Sequence, residues 1–389
     1  MKSDIYYVFN VCTCDDMRST LSLSGIGCLL LLLFVCAAGC VSEEEKKIAE
    51  AGALVESAAT HWEILNTTEN FDTVSLGNVR AEMAAAKTDL DEALVILDTV
   101  SYDRLSPDEK KHLDALKTLC QVDAEFAGMM RDEGCDLLKY GQDLMFGKGN
   151  VSGFESFDQI RDNLIRMKEK SRALETKMVR IDIESLPPGW QEDVAGMKAG
   201  IGDFTTMLGE MITLADQTEK VCALLDSAAA HFEVLDTGGG TEYYSVGVIR
   251  AEMAAAETDL SGALSILETI PCDRLPPDGK EQFDTLKTLC EVDADFCGMM
   301  RNEGCDYLDH CQKATLAHDE KSGITQLKLA REDLVRMKEK LPAMEAKMAT
   351  IDIESMSTAS RGDLVSMKVY IEEFGKSVDD AIDLLDQVC

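Results

Sequence analysis

Apolar residues recur at steps of three and four along most of the chain after residue 43, which is the spacing of amphipathic helices. Proline and glycine clusters interrupt this pattern at intervals. The pattern predicts five helices in the first part of the chain, over 44–66, 74–99, 107–146, 154–183 and from 187 onward. The stretch `SPDEKK` at 106 has a serine cap, a proline in the first helical position and acids in the first turn, which marks a helix start. No alternating strand pattern occurs, so the sequence predicts an all-α fold.

Two of these predicted helices show the stripe of an antiparallel bundle most clearly. In the third, the stripe consists of Leu113, Leu116, Cys120, Ala127, Met130, Gly134, Leu137 and Gly141. In the fourth, it consists of Phe157, Ile160, Leu164, Met167, Leu174, Met178 and Ile181. The fourth helix is also rich in lysine and arginine, so we expect it to lie beside the acidic third helix.

The chain contains an internal duplication with a constant offset of 170 residues. `LKTLCQVDAEFAGMMRDEGCD`, for example, reappears as `LKTLCEVDADFCGMMRNEGCD`. Between 48–217 and 218–387, 79 of 170 aligned positions are identical without a gap. The sequence therefore predicts two tandem helical-bundle repeats, over 48–217 and 218–389.

The junction between the repeats has no linker signal. No proline occurs between Gln191 and Leu235, so the last helix of the first repeat should run into the first helix of the second. This connection is similar in architecture to the one between spectrin-type repeats. The sequence therefore predicts an elongated pair of bundles joined by a continuous helix.

The amino-terminal segment carries a different signal. An apolar run from Cys28 to Ala38 is shorter than the roughly 20 residues that a membrane-spanning helix needs. It ends in `AAGC`, which resembles the lipobox of prokaryotic membrane lipoproteins, although Ala37 stands where that pattern prefers leucine. The resemblance implies cleavage before Cys40 and a diacylglyceryl group on its sulfur, which would tether the protein to the membrane. The alternative is an uncleaved anchor helix.

The resemblance implies that 1–39 is a signal peptide and 40–47 a short tether. Met17 is followed by Arg18, so a start at Met17 would give a compact signal with a basic beginning. Either interpretation puts most of the chain outside the cytoplasm, at the outer face of the cytoplasmic membrane.

The formal net charge is -34, from 38 lysine plus arginine and 72 aspartate plus glutamate residues. Such a surface repels nucleic acid, so nucleic-acid binding is disfavoured. Partners other than the membrane would be basic proteins or envelope proteins bridged by cations.

Cysteine is the residue type that most invites a functional interpretation. Nine cysteines follow Cys40, and several lie on the inward stripe, where thiols act as small apolar core residues. Some could form disulfides. A metal or redox cluster of Cys297, Cys305, His310 and Cys311 is a further alternative, although no CxxC pair accompanies it.

Histidines, acids and methionines give weaker signals. His61 and His231 are equivalent in the two repeats and are expected to be packed or capping residues, or else pocket residues in each bundle. Asp123 and Asp293 fall on a helix seam, so the basic residues Arg166 and Arg336 are expected to pair with them. Two methionine pairs repeat between the copies, Met129 with Met130 and Met299 with Met300. In each pair, one methionine is expected to point into the core.

No arrangement of residues in the sequence indicates a catalytic centre, a cofactor site or a metal site, so the protein is expected not to be an enzyme. The sequons at Asn66 and Asn150 are candidate glycosylation sites in turns of the first repeat. The sequence favours a lipid-anchored extracytoplasmic spacer or docking module in the cell envelope. The alternative is a ligand-binding or sensory module that uses the interior of each bundle.

Overall fold

A computed structural model describes residues 43–67, 76–146, 153–186, 188–236, 245–271, 277–351 and 358–388. Within these ranges the protein is all-α, as predicted, and no strand occurs. The described residues form two compact units, of which the first ends at Ala215 and the second begins at Asp216. The helices are numbered below in chain order.

The first unit begins with α1 and α2 and continues through a longer helical segment that is interrupted by a π-helical turn. In order, the elements are α1 (Glu43–Thr67), α2 (Leu76–Asp98), α3 (Pro107–Met129), the π turn (Met130–Gly134), α4 (Cys135–Phe146), α5 (Gly153–Met178) and α6 (Pro188–Asp236). The continuous helix predicted at the junction is present, because α6 runs for 49 residues and crosses from the first unit into the second.

The second unit contains the end of α6 and a similar succession of elements. These are α7 (Val246–Leu267), α8 (Pro277–Met299), a second π turn (Met300–Gly304), α9 (Cys305–Thr315), α10 (Glu320–Ala349) and α11 (Thr358–Val388). The start predicted for α3 is confirmed in atomic detail. Ser106 accepts from the Glu109 main-chain N–H, and the Glu109 carboxylate accepts from the Ser106 N–H at 2.7 Å.

The predicted seams are buried wherever the structure describes their side chains. This holds for the α3–α4 stripe from Leu113 to Leu137 and for the α5 stripe from Ile160 to Ile181. Phe157 and Gly141 lie outside the described side chains. A second stripe of α3 that was not predicted is buried as well, comprising Leu119, Val122, Phe126 and Met129. Helix α3 is therefore covered on two faces, as the central helix of its unit.

Small residues bring α1 and α2 together. The buried residues of α2 follow a heptad spacing and alternate large and small side chains, being Val79, Met83, Ala86, Leu90, Ala93 and Leu97. Opposite them, α1 buries Ala51, Val55, Ala58 and Ala59. Alanine has only a methyl group, so it lets two helix backbones approach closely. In the second unit, α7 repeats the pattern with Ala256 and Ala263.

Aromatic rings fill the interior of each unit. In the first, the ring of Phe126 lies 5.5 Å from that of Trp62 and 5.4 Å from that of Phe204. In the second, Phe296 lies 5.4 Å from the half-buried Phe374 and 5.7 Å from Tyr370, which is 51% exposed at the edge of the cluster. These side chains join helices that are far apart in sequence, and burial of the inner rings contributes to the apolar driving force.

None of the helices in the described part of the chain is both long enough and apolar enough to cross a membrane. The apolar run from Cys28 to Ala38 lies outside the described residues.

Candidate functional site

The three residues that the sequence singled out for modification lie mostly beyond the described part of the chain. Cys40 and Asn150 fall outside it, so their predicted roles stay predictions. Asn66 is the penultimate residue of α1, and its side chain is not described.

The most distinctive local structure is the π turn that separates α3 from α4 and α8 from α9. It falls within the nearly identical stretches `MMRDEGCD` and `MMRNEGCD`. A β-carbon on Gly134 would stand 2.8 Å from Cε of Met130, and one on Gly304 would stand 3.0 Å from Cε of Met300. Glycine therefore leaves room for the methionine that folds back over the turn. π turns inside α-helices occur often at functional sites, which makes this region the candidate site.

In each unit an arginine from the neighbouring helix binds at the π turn or just after it. Arg80 on α2 donates from Nε to the main-chain oxygen of Arg131 at 3.3 Å and from its terminal nitrogen to Asp136 at 2.7 Å. In the second unit, Arg250 on α7 donates to Asp306 at 2.8 Å. The guanidinium thus joins the irregular turn to the adjacent helix by charge-assisted hydrogen bonds.

A buried cysteine lies beside each arginine. Burial raises the pKa of the Cys135 thiol, and the nearby Arg80 charge opposes part of that effect. The same holds for Cys305 beside Arg250. Because a thiol with a raised pKa stays protonated near neutral pH, neither cysteine is activated as a nucleophile.

The basic helices pair with the acidic ones, as the sequence predicted. Lys170 on α5 binds the Glu133 carboxylate of the π turn at 2.7 Å. In the second unit, Lys340 on α10 binds Glu303 at 2.7 Å, and Lys347 binds Asp295 at 2.8 Å. These pairs use much of the positive charge of α5 and α10 within the protein.

A polar side chain is buried next to the site in each unit, on α5 and on α10. In the first unit it is Asn163, which accepts a hydrogen bond from Arg166, and in the second it is Asp333, which accepts one from Arg336. Each has only 1% of its surface exposed. The predicted pairing of Arg336 with Asp293 is therefore wrong, because Arg336 contacts an acid one helical turn away on its own helix. In the first unit Arg166 donates to Asn163, and the predicted pairing of Arg166 with Asp123 stays a prediction.

Asp293 was expected to form an ion pair, and its environment differs from that expectation. Burial raises its pKa to about 7, which indicates that no cation offsets its loss of hydration. It lies between Cys290 and Cys297 on α8, and burial raises the pKa of both thiols to about 12. Asp293 is half-buried, and a carboxylate that loses much of its hydration without a cationic partner is destabilising when ionised.

We expect Asp293→Asn to stabilise the second unit at about pH 8 by about 2 kcal/mol, with the gain shrinking toward acid pH. The folded pKa of Asp293 exceeds its ordinary value of 3.8, so the protonated form favours folding, and stability is lost as the pH rises to about 7. Urea unfolding followed by circular dichroism at several pH values measures this. Asp284→Asn, at an exposed position of the same helix, is the control. An equal gain at all pH values for Asp293→Asn would contradict the assignment.

Histidines 61 and 231 lie between helices and face carboxylates on both sides. His61 Nδ1 is 2.5 Å from Glu82 and its Nε2 is 3.5 Å from Asp89. The His231 nitrogens stand 2.6 Å from Glu252 and 3.6 Å from Asp259. Each histidine therefore joins the first helix of its repeat to the next, which fits the packing role predicted from sequence.

Seven cysteines lie in the described part of the chain, and each is present there as a thiol rather than as half of a disulfide. Six are buried, and Cys311 is half-buried. Burial fits the prediction that they serve as core residues. Cys272 and Cys389 lie outside the described residues.

The predicted metal alternative has little support. Within the described ranges, no group of three or more His, Cys, Asp or Glu side chains has an arrangement that could hold a metal ion. His310 and Cys311 do lie close to other polar groups, because Tyr307 donates a hydrogen bond to Cys311 and His310 contacts Gln326 and Asp333. The methionine prediction is partly wrong, since both Met129 and Met130 are buried.

Comparison of the chain with protein-family models, curated proteins and solved structures gives no significant match. The function must therefore be inferred from the residues themselves.

Sequence reasoning did not identify the π turn or the residues that bind it. A signal was present, because the stretch around Gly134 is among the longest runs of near identity between the repeats. The arginine that is repeated in `VRAEM` and `IRAEM` could not be assigned a partner from the sequence. Arg80 contacts a residue 51 positions away, and local spacing does not predict such a contact.

Proposed function

We propose that the protein is a non-enzymatic, lipid-anchored extracytoplasmic module of two tandem helical bundles, which serves as an acidic spacer or docking element in the cell envelope. The observation that carries this proposal is the `AAGC` stretch ending at Cys40 after an apolar run too short to span a membrane. The anchor would hold the repeats at the outer face of the cytoplasmic membrane.

The interior of each unit supports a structural role. The cores consist mainly of apolar and aromatic side chains. Every described thiol whose pKa departs from its ordinary value has a raised pKa. The most irregular feature, the π turn, is bound by side chains of the protein itself, such as Arg80 and Lys170. This arrangement stabilises a bundle and activates no nucleophile.

The charge distribution supports a docking role. Lysines of α5 and α10 are engaged in ion pairs within their units, whereas α6 exposes acids that include Glu192, Asp203 and Glu219. The outer surface therefore carries the excess negative charge. Basic envelope proteins, or acidic ones bridged by cations, are the partners that such a surface attracts.

Each unit is proposed to be one copy of a tandem helical-bundle repeat. The gapless 170-residue duplication supports this organisation, as does helix α6, which continues through the predicted junction.

A ligand-binding role for the bundle interiors has less support. Both ring nitrogens of His61 and of His231 face carboxylates of the adjacent helix. A groove of about 430 Å³ does occur at the start of α8, but residues such as Asp284, Thr288 and Thr350 line it. Neither histidine belongs to that groove.

We predict that Cys40→Ser moves the protein from the membrane and detergent phase into the aqueous phase, or leaves an unprocessed precursor without lipid. The lipid is attached to the Cys40 sulfur, and a serine hydroxyl cannot form the thioether. The measurement is labelling with radioactive palmitate, followed by detergent-phase partitioning, in a bacterial host that processes lipoproteins.

Cys36→Ser is the matched control, because Cys36 lies in the same apolar run four residues earlier. It should label and partition like the wild type. If both variants lose label equally, the segment has lost its signal function and Cys40 is not specifically the anchor. If Cys40→Ser keeps its label and its membrane association, the lipid-anchor proposal fails.

A further inference from the structure

His310 on α9 and Asp333 on α10 form a pair that the role proposed above does not use. Asp333 is 1% exposed, and Arg336 donates to its Oδ1. Its Oδ2 is buried and has no hydrogen-bond partner. The nearest ring nitrogen, Nε2 of His310, is 3.8 Å away. A buried carboxylate oxygen without a donor is rare and costly.

The contact of His310 with Gln326 determines which ring nitrogen carries the proton. Its Nδ1 lies 2.9 Å from Oε1 of Gln326, and an amide oxygen can only accept, so Nδ1 carries a proton. In a neutral ring, Nε2 then holds a lone pair that faces the lone pairs of Asp333 Oδ2. Two acceptors would oppose each other inside the protein. One added proton, on Nε2 or on Oδ2, changes this opposition into a hydrogen bond.

The first unit lacks this pair at the equivalent positions. There, Asn163 replaces Asp333 and Tyr140 replaces His310. Asn163 is equally buried and accepts from Arg166, as Asp333 does from Arg336. The geometry of the buried contact is thus retained, while the second unit carries a carboxylate and an imidazole where the first carries an amide and a phenol.

Charged and titratable groups surround the pair on each packed element. On α9, Asp306 and Cys311 act on Asp333, and Asp309 acts on His310; on α10, Arg336 binds Asp333; and Arg250 of α7 binds Asp306. The other packed elements carry further charged groups. These are Asp293 on α8, Glu303 of the π turn, which is paired with Lys340, and Asp386 on α11, which is paired with Arg331. Arg250 is engaged by Asp306, so Arg336 is the cation in contact with Asp333.

We propose that half-buried His310 and buried Asp333 form a proton-binding site that makes the packing of α9 against α10 depend on pH. With the proton bound, Nε2 and Oδ2 share it and hold the two helices together. Without it, the facing acceptors repel each other and the contact loosens. The contact of α9 with α10 would therefore respond to pH, whereas the equivalent contact of α4 with α5 in the first unit would not.

The contact between α9 and α10 is expected to weaken as the pH rises, and the environment of Asp333 agrees with this direction. Burial raises its pKa, against the lowering influence of Arg336 and His310. A group with a raised folded pKa favours the folded state while protonated, so its contribution is present at low pH and is lost as the pH rises.

Hydrogen exchange followed by mass spectrometry on the full-length, detergent-solubilised protein tests the proposal. Rates are corrected for the intrinsic effect of pH and compared at about pH 5.5 and about pH 8. In the wild type, protection of peptides from 305–333 should fall about tenfold between these values, because the proton shared by Asp333 and His310 is lost. Peptides from 135–163 of the first unit should not show this fall.

Asp333→Asn and His310→Tyr are the matched variants, because each introduces the residue that the first unit carries. Both should abolish the fall in protection of 305–333 while leaving 135–163 unchanged. An unchanged fall in either variant would overturn the proposal, as would a wild type whose protection is independent of pH. A fall that disappears only in Asp293→Asn would assign the proton to α8 and would overturn it as well.

Discussion

Replacing Phe126 by alanine is expected to lower the free energy of unfolding of the first unit by about 3–5 kcal/mol. The Phe126 side chain is 5% exposed, and its ring contacts Trp62 of α1 and Phe204 of α6. Truncation therefore removes apolar contacts among three helices and leaves a cavity that those helices cannot fill without moving. Both tryptophans of the chain, Trp62 and Trp190, belong to the first unit, so urea unfolding followed by tryptophan fluorescence reports this unit.

Val179→Ala is the control for this substitution, because Val179 is 66% exposed. It should change the free energy of unfolding by about 0.5 kcal/mol or less. A loss of similar size in the two variants would mean that the aromatic cluster around Phe126 does not hold the first unit together.

Replacing both Ala86 and Ala93 by leucine is expected to destabilise the first unit by about 2–6 kcal/mol, the sum of two overpacked sites. Both alanines are 0% exposed and face the small residues of α1. Two larger side chains would force α1 and α2 apart and would strain the contacts of His61 with Glu82 and Asp89. The same fluorescence measurement checks this result.

Ala81→Leu combined with Thr88→Leu tests the specificity of that effect. These positions have the same spacing of seven residues on α2 but are exposed. Leucine is a good helix former, so this variant should be within about 1 kcal/mol of the wild type. If the buried pair proves as harmless as the exposed pair, the close packing of α1 on α2 is contradicted.

Much of the fold could be predicted because its signals are local. The start of α3 is encoded by Ser106, Pro107 and Glu109, which lie within four residues of one another and form the observed capping box. The length of α6 is encoded by the lack of proline from Gln191 to Leu235. The inward stripe of α5 follows from its periodicity alone.

The features that were missed depend on contacts between distant residues. A π turn adds a residue to one helical turn, and the apolar residues on both sides remain at inward positions, so the sequence pattern hides it. The expected partner of Asp293 was chosen by helix adjacency, whereas Arg336 finds Asp333 three residues before it on its own helix. Whether an arginine prefers a neighbour on its own helix depends on side-chain geometry that sequence spacing does not give.

The candidate chemistry of the second unit was also recognised only in part. His310 and Cys311 stood out in the sequence, but as metal ligands together with Cys297 and Cys305. The structure brings His310 next to Asp333 instead, a residue that looks unremarkable in the sequence because it merely replaces Asn163. Burial gives this small change its importance, since an aspartate costs far more than an asparagine at a position that water does not reach.

The mass of the amino-terminal peptide of the protein, purified from membranes, tests the central proposal most directly. The account predicts that the mature chain begins at Cys40 and carries a diacylglyceryl thioether on that residue. An unmodified Cys40 with residues 17–39 still attached would contradict it.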